Sequence, residues 1–129
     1  MKKKTERRKL KDKLEKKIKE FVRKRDNRTC QHCGKTNLQG SNCHVSHVIP
    51  RSASLRLMFD PLNLKVLCFH CHINWWHKNP VEAGDWFKKK FPKRWQYLEE
   101  KKKIVKPVMT YELEEMIQKL EGELLSGMG

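Results

Sequence analysis

The sequence predicts an α+β fold in which two short strands and a helix form a small core between helical extensions. Three observations carry this. All five cysteines and all six histidines fall within residues 29–78. Residues 1–28 hold 15 of the 30 Lys and Arg against 5 acids, with apolar residues at helical steps. Residues 79–129 carry further helical apolar stripes interrupted by prolines. The expected organisation is a basic amphipathic helix over 1–28, a metal-bearing core over 29–78 and a helical extension over 79–129.

The elements follow in order. Leu10, Leu14, Ile18, Phe21 and Val22 recur mostly at steps of three and four, which marks an amphipathic helix with a basic outer face. Cys30-Gln31-His32-Cys33-Gly34-Lys35 reads as a metal knuckle, a tight turn with glycine just after the second thiolate. Asn42 to Pro50 reads as a first strand and Ser52 to Asp60 as a loop. Asp60-Pro61 turns the chain into the apolar segment Leu62 to Leu67, a second strand. A helix is expected from about Phe69 to His77. Asn79-Pro80 starts another helix, with Pro at its first position, and Pro92 divides that stretch in two. Trp86, Phe87, Phe91, Trp95 and Leu98 supply its apolar side. Lys106-Pro107 marks a linker. Thr110 can cap a last helix, with Glu112, Glu114 and Glu115 complementing its dipole and Leu113, Ile117, Leu120 and Leu124 as its stripe. Gly127 to Gly129 is expected to fray.

Only 37% of the chain is apolar and 35% is charged, so the core is thin and a metal staple would help it. The net charge of +15 favours a polyanionic partner. No apolar run approaches the roughly 20 residues of a membrane span. The charged start, Met1 to Lys9, is not followed by the apolar stretch of a secretory signal, so a cytoplasmic location is expected. In a reducing compartment, cysteines at these spacings are metal ligands sooner than disulfides.

Two Cys-x-x-Cys pairs, Cys30/Cys33 and Cys68/Cys71, suit one tetrahedral zinc ion. Four thiolates leave no open position, so this site is structural. His32 and His70 lie within the knuckles, and Cys43 stands apart as a small apolar residue. The remaining metal-binding residues point to different chemistry. Phosphodiester hydrolysis needs a base for water and a cation to neutralise developing charge. Histidine suits the base near neutral pH, and imidazole or hard oxygen ligands suit Mg²⁺, Mn²⁺ or another transition metal. His44 and His47 on the first strand, Asn63 at the second and His72 beside Cys71 form one place for both roles. Arg51 and Arg56 are candidate phosphate clamps, as are Arg23, Lys24 and Arg25 on the basic helix.

The block Cys-x-x-Cys, His-Val-Ile-Pro, Asn, Cys-x-x-Cys-His resembles the HNH endonucleases and their ββα-metal fold. The resemblance implies that His47 is the general base, that Asn63 braces the loop beside it and that His72 ligates the catalytic ion. Where that family often has an Asp ligand, this chain has Ser46, which leaves His44 as a possible replacement. A narrower resemblance, to the phage NinG (Rap) recombination nucleases, extends over the flanking segments. It is carried by Leu10 to Leu14, Phe21 to Asp26, His44-x-x-His47, Leu55-Arg56 with Phe59-Asp60 and Asn63, and Lys106 to Leu120. Leu57 and Met58 are inserted relative to that pattern. Ser46 and His72 stand where that family usually has Gly and Asn. It implies branched recombination DNA as substrate in a phage-infected bacterial cell, and 5′-phosphate and 3′-hydroxyl products. A second copy of the chain or a recombination protein is a possible partner. A weakly specific nicking nuclease, and a zinc module or accessory subunit that binds nucleic acid without cutting, stay open as alternatives.

Overall fold

The computed structural model describes residues 3–126, so the frayed end expected at 127–129 lies outside them. Helix α1, Glu6–Arg25, starts where the Thr5 hydroxyl accepts the Arg8 N–H at 3.1 Å. Leu14, Ile18, Phe21 and Val22 are its buried stripe. Arg23, Lys24 and Arg25 fill the last turn, where the helix dipole favours cations. Asn27 and Arg28 then turn the chain out through left-handed conformations. Strands β1, His44–His47, and β2, Leu64–Leu67, pair antiparallel with Ser46 opposite Lys65 and His47 opposite Leu64. The α+β expectation therefore holds, with a sheet of two strands among the described residues.

Between the strands, the expected loop contains one helical turn, α2, Leu55–Met58, capped by the Ser54 hydroxyl. Asp60 caps the following turn by accepting the Leu62 N–H at 2.9 Å. After β2 comes the expected helix, over His70–Trp76, and its winding is π-helical. Its wider winding is marked by the bond from the His77 N–H to the His72 carbonyl, five residues back. Helices α3, Pro80–Lys90, and α4, Pro92–Lys101, form a hairpin broken at Phe91-Pro92. Helix α5, Thr110–Leu125, packs along α1. The Thr110 hydroxyl does not cap it. That hydroxyl accepts from Arg7, while the Glu112 carboxylate reaches back to the Met109 N–H at 2.7 Å.

Two apolar clusters result. The larger joins the stripes of α1 and α5 to β2, Cys43 and the ligand cysteines Cys30, Cys68 and Cys71. The smaller gathers Leu57, Phe87 and Leu98, with Ile49, Trp76, Trp86, Phe91, Trp95 and Tyr97 around them. Trp76 touches both, so the α3–α4 hairpin is fastened to the core through the π-helix. Among the described residues the outer edge of β2 has no strand partner, and side chains take its place. The Asp26 carboxylate accepts the Val66 N–H at 2.9 Å, while Arg25 and Arg94 donate to the Leu64 carbonyl at 2.6 and 2.8 Å. No described helix is long and apolar enough to cross a membrane.

Candidate active site

The four cysteine Sγ atoms lie within 4.8 Å of one another. Cys33 and Cys68 are 3.8 Å apart, close to the sulfur–sulfur spacing that Zn–S bonds of about 2.3 Å impose in a tetrahedron. Gly34, at φ +80°, closes the first knuckle in a conformation that side chains disfavour. The Cys33 N–H points at the Cys30 sulfur and the Cys71 N–H at the Cys68 sulfur, at 3.5 and 3.4 Å. Burial raises the Cys30 pKa, yet the backbone N–H groups outweigh it and bring the thiol down to about 7. The donor set thus fits zinc held by Cys30, Cys33, Cys68 and Cys71. His32 adds no ligand, but its Nδ1 lies 3.3 Å from the Cys71 sulfur while its ring stacks on Trp75.

The staple ties the first knuckle to the end of β2 and the start of the π-helix, and β1, paired with β2, brings His44 to His72. His44 Nδ1 lies 2.8 Å from His72 Nδ1. His44 Nε2 donates to the Ser41 carbonyl at 2.7 Å, which places the proton on Nε2 and a lone pair on Nδ1. A metal-ligating histidine is commonly oriented by such a second bond. Burial, with His77 and His44 nearby, lowers the His72 pKa to about 4, so its imidazole is neutral as a ligand must be. The His77 ring lies 4.4 Å from that of His72. The Ser46 hydroxyl is already engaged. It is fully buried and accepts a hydrogen bond from Lys65 at 3.1 Å. The Nδ1 atoms of His44 and His72 are thus brought together at one point.

His47 and His72 line one cleft of about 670 Å³, together with Lys19, Arg51, Trp76, His77 and Trp95. Burial, reinforced by Arg51, Lys65 and Lys19, pushes the His47 pKa down to about 4. Its imidazole therefore carries a free lone pair at neutral pH. Asn63 is fully buried behind it and touches only backbone. Its Oδ1 accepts the Ile49 N–H at 2.7 Å, and its Nδ2 donates to the Ile49 and Leu57 carbonyls at 3.0 Å each. Asn63 is thus a positioning residue that locks the segment just after His47. Asn63→Ala should lower unfolding free energy by about 2 kcal/mol, because the part-buried Ile49 N–H and carbonyl lose their partner while the Leu57 carbonyl keeps the Asp60 N–H. Denaturant unfolding checks this, and a loss below about 1 kcal/mol would contradict the brace.

The cysteine pairs, the paired imidazoles and the asparagine brace form one continuous unit. Residues 30–74 match the model of the HNH endonuclease family. The HNH segment runs from the first thiolate to the middle of the π-helix, leaving His77, α1 and α3–α5 outside it. HNH domains are nuclease domains, so the match supports metal-dependent nuclease chemistry and nucleic acid as ligand. No curated protein and no solved structure matches the chain, and the narrower NinG resemblance rests on its motifs alone.

The expected phosphate clamps divide by their surroundings. Arg51 is exposed near the cleft, 3.7 Å from Glu15, and Lys24 is exposed on α1. Arg23 is half-buried with its Nε toward the Cys43 carbonyl at 3.4 Å. Arg25 is an internal strut bonded to Asp26, Pro61 and Leu64. Arg56 ties α2 to α5 through Glu112 at 3.2 Å and the Pro107 carbonyl. Lys19 lines the cleft although no motif singled it out.

Lys65 is the residue that sequence reasoning passed over. It is fully buried, donates to Ser46 and sets its Nζ 3.3 Å from the Trp76 ring centre. Burial holds its pKa well below the usual lysine value, with Arg94 adding to the effect and Asp26 opposing it. The unfolded chain binds a proton here up to about pH 10.4, whereas the folded chain releases it earlier. Stability from this group therefore rises with pH. Lys65→Met should be at least as stable as wild type at pH 7. Its advantage should shrink towards pH 10, by up to about 1.4 kcal/mol per pH unit. Paired urea titrations at the two pH values check the sign.

Proposed function

We propose that this protein is a divalent-metal-dependent endonuclease that hydrolyses DNA phosphodiester bonds. The observation that carries the reading is the convergence of His47, as a neutral imidazole, with the paired Nδ1 atoms of His44 and His72 beside a closed thiolate site. In this scheme His47 takes a proton from water as the water oxygen attacks phosphorus. The bond to the 3′ oxygen breaks, leaving 5′-phosphate and 3′-hydroxyl ends. When bound by His44 and His72, a divalent cation would supply charge neutralisation at the phosphate and the departing oxygen. Lys19 and Arg51 at the cleft, with Lys24 on α1, would hold the backbone. Such contacts orient DNA without reading sequence. The NinG resemblance adds branched recombination DNA as the preferred form.

The test is cleavage of labelled linear duplex, single strand, flap and four-way junction in Mg²⁺ or Mn²⁺, by wild type and His47→Ala. Metal-dependent cutting, strongest on branched forms and lost in the variant, is expected. Equal rates on every form would remove the branch preference, and no metal-dependent cutting would remove the nuclease reading.

A further inference from the structure

We infer that the cleft beside His47 and His72 binds an unstacked nucleobase next to the scissile phosphate, so that the substrate strand is read as an unpaired DNA nucleotide. The inference rests on the nuclease reading and extends it to the form of DNA that can enter.

Hydrolysis at His47 needs a phosphate, a water and a cation, none of which calls for an apolar wall. Yet Val45, Val48, Ile49, Pro50, Trp76 and Trp95 line the same cleft. Its volume of about 670 Å³ lies within the 300–1,000 Å³ typical of small-molecule pockets, ample for a nucleotide. In a duplex the base faces are covered by their neighbours and only phosphates, sugars and groove edges reach a protein surface. An apolar aromatic recess at the cutting site gains contact only if a base leaves the stack. The charges match the same occupant. Lys19 and Arg51 line the recess and can take the flanking phosphates, while Glu15 lies 3.2 Å from Lys19 and 3.7 Å from Arg51. A basic track interleaved with aromatic rings is how single strands are held.

The two tryptophans are also fixed in place. Lys65 Nζ sits over the Trp76 ring at 3.3 Å, and Trp95 packs against Phe87 with ring centres 6.3 Å apart. Neither ring must be ordered when the base arrives, which lowers the entropic cost of binding. Trp95 comes from α4, outside the HNH segment, so the α3–α4 hairpin supplies one side of the recess.

The experiment uses the full chain and a labelled single strand in which each nucleotide in turn is replaced by an abasic residue. Cleavage is followed in Mg²⁺ or Mn²⁺ and binding by fluorescence anisotropy without metal. One position adjacent to the cut should lose roughly 10-fold or more in rate, the scale of one lost base–aromatic stack. The intact duplex should be cut slower than the same strand unpaired. Trp95→Leu should show the same loss with the complete strand and no added loss with the abasic one. Trp95→Phe should recover part of it. A flat abasic profile, or equal rates on duplex and single strand, would overturn the inference, and the abasic series needs no variant to fold. If wild type cuts nothing, the nuclease reading fails separately and anisotropy still decides. Weaker binding of one abasic strand would then support the base recess, and equal binding of all strands would overturn it.

Discussion

Withdrawing zinc from the four-thiolate site is expected to abolish cooperative folding. Binding at such sites supplies on the order of 10 kcal/mol, as much as the whole net stability of an ordinary domain. Little in this chain can replace it. β2 is four residues long, it pairs with β1 alone among the described residues, and the larger apolar cluster includes Cys30, Cys68 and Cys71. A strong chelator should remove the cooperative thermal transition followed by circular dichroism, and added Zn²⁺ should restore it. Cys68→Ser should behave like chelated wild type without rescue, because its sulfur lies 3.8 Å from that of Cys33 at the centre of the knuckle pair. An unchanged melting curve after chelation would show that the thiolates do not staple the fold.

The second large effect is catalytic. His47→Ala should lower the single-turnover cleavage rate by about 10²- to 10⁴-fold, the usual contribution of a positioned general base. The fold should survive, since the ring is half-buried and the segment behind it is held by Asn63 and not by His47. DNA affinity should stay nearly unchanged, because Lys19, Lys24 and Arg51 remain. Rate, melting temperature and anisotropy measured on one preparation separate these cases. A loss below 10-fold with folding intact would remove His47 from the base role.

The sequence exposed the metal core most directly, since two short cysteine spacings and a histidine beside the last thiolate constrain geometry locally. The helices were legible for a similar reason. Leu14, Ile18 and Phe21 on α1, and Leu113, Ile117 and Leu120 on α5, repeat at helical steps whatever they pack against. What depended on distant partners was not legible. Lys65 alternates within an apolar strand like any outward residue, and its burial comes from Trp76 and Phe87 folding over it. Arg25 and Arg56 look like surface cations until the carbonyls of Pro61, Leu64 and Pro107 arrive from other segments. The π-winding of His70–Trp76 leaves no mark in composition, because its apolar and aromatic residues suit an α-helix equally well. The turn at Leu55–Met58 was too short for periodicity.

The guanidinium and carboxylate groups along the free side of β2 have a meaning beyond the fold of one molecule. A two-stranded ribbon normally leaves open donors and acceptors on both flanks, which invite a third strand from another chain. Here Arg25, Asp26 and Arg94 occupy that flank with groups from two helices. The sheet is thereby closed on its β2 side, and the buried residues Leu64, Val66 and Leu67 offer no template for intermolecular growth there. In a protein with a sparse core, that flank is kept from templating another chain by charged side chains of the same molecule.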